Sequence, residues 1–175
     1  MKGKGRILIF TGDGKGKTTA ALGMALRASG HGMQTLILQF IKANRSIGEL
    51  TAIQYLPGVD IIQAGRGFIS STKGPPFAEH RQAAQEALKK ATEAIQSRRY
   101  QLIILDEICT AISRGLVGED QVIDLIHQET EERCLVLTGK GASDRLISEA
   151  DTVTEMRALK HGLPQGWVAQ KGVEY

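Results

Sequence analysis

An apolar run, Ile7-Leu8-Ile9-Phe10, gives way to Gly12-Asp13-Gly14-Lys15-Gly16-Lys17-Thr18-Thr19, and the chain resumes as Ala20-Ala21-Leu22-Gly23-Met24-Ala25-Leu26. A buried strand, a glycine-rich turn and a helix in direct succession are the context of a phosphate-binding loop. Glycines let the backbone curl until its N–H groups converge on phosphate oxygens, and the helix N-terminus adds a favourable dipole. In such a loop Lys17 reaches the terminal phosphates and the Thr18 hydroxyl ligates Mg²⁺. The usual spacing places its first glycine where this chain has Thr11, with glycines instead at positions 12 and 14. A turn merely decorated with lysines would leave Gly16-Lys17-Thr18-Thr19, at the start of an amphipathic helix, without a reason.

Composition narrows the partners. A chain of 175 residues is the size of one domain and long enough to bury a real core. Its net charge of +3 does not demand nucleic acid. Lys2, Lys4, Lys15 and Lys17 gather near the first strand and the loop, which suits a small anionic ligand better than a long polyanion. Cys109 and Cys134 sit beside or within apolar runs, with no metal spacing, and read as buried reduced thiols. No apolar run approaches the length of a membrane span, and no secretory leader is recognisable, so a cytoplasmic protein is expected.

Along the chain, residues 6–11 read as the first strand and the helix after the loop runs to about Ser29, stopped by Gly30-His31-Gly32. Gln34 to Phe40 is a second strand, which implies a right-handed parallel crossover. Residues 42–52 read as a polar loop and a helical turn, and Val59 to Gln63 as a short strand. An irregular segment over 64–76 is long enough to be functional. Within it Phe68 is either a core plug or a ligand-facing aromatic. Phe77 to about Arg98 is an alanine-rich helix leading into Leu102-Ile103-Ile104-Leu105-Asp106-Glu107. Paired carboxylates ending a strand, in a chain with a phosphate loop, are candidates to hold Mg²⁺ directly or through water, or to orient an attacking group. Glu119 to His127 reads as a helix, Arg133 to Thr138 as a buried strand, and Ser143 as the cap of a helix from Asp144 to Glu149. Asp151 to Met156 reads as a strand nearer the sheet edge, His161 as a surface histidine, and Gly166 to Tyr175 as a terminal strand or tail. The fold expected is one α/β domain over 1–175, phosphate-loop NTPase-like (RecA-like), with a mostly parallel sheet flanked by helices and its ligand loops at the strands' carboxyl ends.

The residues by themselves stop at a Mg²⁺-dependent protein that binds a nucleoside triphosphate. An ATPase, a small-molecule kinase and a non-catalytic nucleotide-dependent carrier all remain open at that point.

The run Phe10-Thr11-Gly12-Asp13-Gly14-Lys15-Gly16-Lys17-Thr18-Thr19-Ala20-Ala21 closely resembles the variant phosphate loop of the ATP:corrinoid adenosyltransferases, which carry threonine at the place of Thr11. The resemblance continues in order through Gly30-His31-Gly32, Gln39-Phe40-Ile41-Lys42, Gly48-Glu49, Gly67-Phe68, Leu105-Asp106-Glu107, Thr138-Gly139-Lys140-Gly141, Ala150 to Met156, Lys160-His161 and Lys171 to Tyr175. It implies transfer of the 5′-deoxyadenosyl group of ATP to the Co(I) of a corrinoid, with release of triphosphate. It also implies Mg²⁺ (or Mn²⁺) held by Thr18 and Glu107 with Asp106 beside them, and ATP lying in the reverse sense along residues 12–19. Lys17 and Glu107 are then the catalytic candidates, and Phe68 faces the corrinoid. A homodimer and a reduced flavoprotein electron donor are the implied partners, with neither nucleic acid nor membrane. Some members carry an aromatic two residues after the position of Phe68, where this chain has Ser70. The short lead before the first strand goes with a corrinoid pocket more open than in longer members or completed by a partner subunit.

Overall fold

A computed structural model describes residues 5–69, 72–128, 133–162 and 166–173. Lys2, Lys4, Ser70, Glu174 and Tyr175 lie outside the described residues. The apolar runs become strands β1 (Arg6–Thr11), β2 (Thr35–Gln39), β3 (Val59–Gln63), β4 (Leu102–Asp106), β5 (Cys134–Thr138) and β6 (Thr152–Glu155). Among the described residues, six helices connect them: α1 (Lys17–Gly30), α2 (Gly48–Ile53), α3 (Pro75–Ser97), α4 (Ile108–Ser113), α5 (Glu119–His127) and α6 (Asp144–Ser148).

All strand pairs are parallel, in the order β3-β2-β4-β5-β1-β6. A parallel sheet is covered on both faces, which is why β2 and β4 are buried at every residue and show no polar alternation. Their side chains still alternate between two cores. Ile103 and Leu105 of β4 meet Ala84, Ala87, Leu88 and Ala91 of α3 together with α4, α5 and Leu146 of α6. Leu102 and Ile104 join the opposite core, under Ala21, Ala25 and Ala28 of α1. Alanines spaced by four and three residues place one small-residue face of α1 against the sheet. The outermost strand β6, with only Val153 half-buried, sits at the edge as its mixed polarity foretold.

The crossover from β1 to β2 spans two places, because β4 and β5 lie between them and α1 packs across β1, β5, β4 and β2. Two features differ from the sequence reading. Helix α3 begins two residues early, at Pro75, since proline at the first helical positions gives up no helical hydrogen bond. The unexpected helix α4 follows Glu107 at once, its turn made by a left-handed Glu107 backbone (φ 64°) rather than by glycine or proline. Of the two readings for the terminal segment, strand or tail, the described residues 166–173 follow the tail.

Leu105 is fully buried against the α3 face of the sheet. Leu105→Ala should lower the unfolding free energy by about 2–5 kcal/mol. Urea denaturation with an unchanged m-value checks this.

Candidate functional site

The carboxyl ends of β1, β2, β4 and β5 bring the candidate residues to one end of the sheet. Thr11 ends β1 nearly buried, and its Oγ1 accepts the Ala142 N–H at 3.3 Å, tying β1 to the loop after β5. Gly12 then turns the chain at φ 94° and Gly16 at φ 105°, conformations that side chains rarely adopt. The loop presses against the end of β6. A Cβ on Gly12 would lie 2.4 Å, and one on Gly14 2.7 Å, from the Met156 carbonyl oxygen. The Gly14 N–H donates to that same oxygen at 2.6 Å. Threonine therefore suffices where a first glycine is usual, because the sharp turn starts one residue later.

Lys17 opens α1 and is only 7% exposed. Its Nζ donates to the Gly12 and Gly14 carbonyls at 2.8 and 2.7 Å, so the ammonium sits under the loop. Burial pushes its pKa below the ordinary 10.5, against the opposing pull of the Glu107 carboxylate.

Next to Lys17, the Thr18 hydroxyl donates to Asp106 Oδ1 at 2.7 Å, and the Thr138 hydroxyl donates to the same oxygen at 2.8 Å. The other oxygen, Oδ2, accepts from Gln39 Nε2 at 3.2 Å and lies 3.8 Å from the Lys42 ammonium. Asp106 is 0% exposed, a carboxylate withdrawn from water and surrounded by donors. Lys42 also pairs with Glu49 at 2.9 Å. Glu107 differs from its neighbour. Its N–H donates to Thr138 Oγ1 at 2.9 Å, its Oε2 accepts from Thr110 Oγ1, and its side chain lines the open cleft.

That cleft, of about 520 Å³, is lined by Asp13, Gly14, Lys15, Gly16, Lys17, Thr18, Thr19 and Glu107, joined by Lys42, Glu49, Lys140 and His161. Asp13 reaches the Lys140 ammonium at 3.4 Å across its rim. The expected surface histidine, His161, is exposed and is part of the wall. Of the predicted site residues, Phe68 is the one set apart. It is 88% exposed and does not line this cleft, so the core-plug alternative fails. Gln39, Glu49 and Thr138 were not singled out as site residues, and Lys42 was noted only as loop polarity and part of a family motif. Gln39 and Thr138 carried a signal, as polar residues ending otherwise apolar buried strands.

Hard oxygen donors (the Thr18 hydroxyl and the Glu107 carboxylate) beside a phosphate-shaped loop suit magnesium. Among the described residues no three His, Cys, Asp or Glu side chains converge as a metal cage. A magnesium ion here would complete its shell with water and phosphate oxygens, its ordinary habit.

A family model described as "ATP:corrinoid adenosyltransferase BtuR/CobO/CobP" matches residues 3–175. The corrinoid adenosyltransferase of Pseudomonas aeruginosa is 37% identical over 173 residues, covering 98% of this chain and 84% of that protein. Its counterpart in Escherichia coli K12 is 31% identical over 172 residues, covering 98% and 86%. The corrinoid adenosyltransferase CobA of Salmonella typhimurium is 32% identical over 173 residues, again 98% and 86%. Among solved structures, a KaiC-like protein from Pyrococcus horikoshii aligns at a TM-score of 0.59 with 16% identity, over 88% of this chain and 73% of that one. At that identity the likeness is one of fold.

In the loop, Gly12→Ala should cost at least about 1–3 kcal/mol of stability, through its left-handed backbone and the 2.4 Å approach of an added Cβ to the Met156 carbonyl oxygen. Gly23→Ala, where an added Cβ meets nothing within 4 Å in mid-helix, should gain about 0.4–1 kcal/mol, both read by urea denaturation. Lys17 holds its proton less tightly folded than unfolded. Ligand-free stability should therefore rise with pH between the lowered value and 10.5, and Lys17→Met should flatten that rise in denaturation curves taken across the alkaline range.

Proposed function

The chain belongs to the ATP:corrinoid adenosyltransferase family, and we propose that, as one domain over residues 1–175, it transfers the 5′-deoxyadenosyl group of ATP to the Co(I) of a corrinoid. The Co(I) lone pair attacks ribose C5′, a Co–C bond forms, the C5′–O bond breaks, and triphosphate leaves with the bonding electrons. Because the substrate brings its own nucleophile, the protein's tasks are alignment and stabilisation of charge on the departing triphosphate.

The observation that carries this reading is the set of side chains facing one cleft: Lys15, Lys17 and Thr18 from a loop shaped for phosphates, with Lys42 after β2 and Glu107 after β4. The loop N–H groups and Lys15 hold the phosphate chain. Lys17, leaving the Gly12 and Gly14 carbonyls, meets the charge that grows on the leaving group. Magnesium, held by Thr18 and Glu107, would supply further neutralisation of the triphosphate. Asp106 acts one step back. With Oδ1 taken by two hydroxyls, it aims the Thr18 proton inward and leaves that oxygen's lone pairs turned to the cleft. Phe68, exposed on the segment after β3, offers an apolar surface to the corrinoid. A homodimer and a reduced flavoprotein donor complete the proposal. Of the described helices, none is long and apolar enough to cross a membrane.

An anaerobic assay with ATP, Mg²⁺ and chemically reduced cobalamin tests the reaction. Loss of the Co(I) absorbance with adenosylated corrinoid and intact triphosphate as products is the expected result. ADP or inorganic phosphate in place of triphosphate would make the protein a kinase or ATPase, and binding without turnover would make it a carrier. Glu107→Gln should lower kcat by about 10²–10³, the scale of one lost charge-stabilising group.

A further inference from the structure

A row of polar side chains crosses the carboxyl end of the sheet, in strand register. Gln63 is the partner of Gln39, and Gln39 is the partner of Asp106. Asp106 in turn accepts from Thr138 and from Thr18 of the phosphate loop. The direction of every hydrogen bond in this row is fixed by its last member. A carboxylate only accepts, so Gln39 must present Nε2 to Asp106 Oδ2 at 3.2 Å. Its Oε1 then faces the other way and takes Gln63 Nε2 at 3.0 Å. The second hydrogen of that Gln63 nitrogen goes to the Asn44 carbonyl at 3.1 Å, in the loop after Lys42.

The segment leading to Phe68 hangs from the same strand end. Ala64 N–H and Gly65 N–H both donate to the Gln39 carbonyl, at 3.0 and 3.1 Å, and Gly67 N–H donates to the Ile41 carbonyl at 2.8 Å. Gly65 is pressed so closely on Ile41 that a Cβ there would lie 2.2 Å from its carbonyl oxygen. Two routes thus leave Asp106, one through the Gln39 and Gln63 amides and one through Lys42, and both reach the short stretch of backbone that carries Phe68.

We infer that Gln39 and Gln63 are positioning residues that make nucleotide binding at Thr18 and Asp106 and the setting of residues 64–69 a single coupled unit. The inference rests on the reaction proposed above only in taking residues 64–69 as the corrinoid side. A metal held by Thr18 would use a lone pair of its oxygen and keep the hydroxyl proton where the structure has it, donated to Asp106 Oδ1. Phosphates entering the cleft draw Lys42 from its place 3.8 Å from Asp106 Oδ2. Oδ2 then leans on the Gln39 amide alone, and the amide row tightens toward Gln63, Asn44 and the 64–67 turn. ATP would in this way set the second substrate's surface before that substrate arrives.

Hydrogen exchange read by mass spectrometry on the full chain, with and without MgATP, tests this. In the unsubstituted protein MgATP should slow exchange at Gly14–Thr18 and also, by at least about fivefold, in the peptide containing Ala64, Gly65 and Gly67. Gln63→Leu, which touches neither Asp106 nor the phosphate loop, should abolish the second slowing and keep the first. Gln39→Leu should also abolish the second slowing, but with a weaker first one because it strips a donor from Asp106, and Gln63→Asn should restore less than the glutamine because its amide falls short of Gln39. With reduced corrinoid, Gln63→Leu should raise KM for the corrinoid rather than lower kcat. Slowing at 64–67 that survives both leucine substitutions, or none in the unsubstituted protein, overturns the coupling. Turnover of ATP and reduced corrinoid by the unsubstituted protein is scored separately, so a failed coupling and a failed reaction give different results.

Discussion

One buried carboxylate organises the end of the sheet that carries the phosphate-loop cleft. Asp106 is withdrawn from water and surrounded by two hydroxyls, an amide and, slightly farther off, an ammonium. A carboxylate in such a place is tolerable only while those donors stay. Each comes from a different part of the chain: Thr18 from the start of α1, Gln39 from β2, Lys42 from the loop beyond it, and Thr138 from β5. The strand order β2-β4-β5 is what makes this possible, since it puts β4 between the two strands whose polar last residues serve it. The phosphate loop, the left-handed turn at Glu107 and the strand ends are held in common by one charge.

Much of this was readable in the residues, for a physical reason. Strands covered on both faces need unbroken apolar runs, so Leu102 to Asp106 and Cys134 to Thr138 announced themselves with their ends nearly fixed. The loop of residues 12–19 was legible because glycine and lysine at that spacing have few other uses. Strand order was not legible, since every strand here is parallel and any two can in principle be neighbours. Helix α4 escaped because its boundary is a non-glycine left-handed residue, Glu107, which leaves no turn signature. Gln39 escaped for the opposite reason: its importance lies in a partner sixty-odd positions away, visible only once β2 and β4 lie side by side. Phe68 was left undecided between core and ligand, and its exposure resolved only the first half of that choice.

Lys17 and Asp106 are both buried charged groups, and they behave differently. Asp106 is fully served by neighbours that belong to it. Lys17 is lodged on the Gly12 and Gly14 carbonyls, groups of the very loop that is to receive an anion, and burial weakens its hold on its proton. A phosphate chain would offer that ammonium a better partner than two neutral carbonyls. The ligand-free loop is thus kept in shape by a side chain whose stronger interaction is with the ligand.

The contact of Gly12 and Gly14 with the Met156 carbonyl has a bearing on how the protein is made. The loop follows β1 in the chain, whereas the backbone that props it follows β6. Until β6 has been synthesised and added to the edge of the sheet, the Gly14 N–H has no Met156 oxygen to bind and the space against those two glycines is open. The strands β1 to β5 precede β6 in the chain, so the wall that supports the loop of residues 12–16 is complete only once β6 has joined the sheet edge.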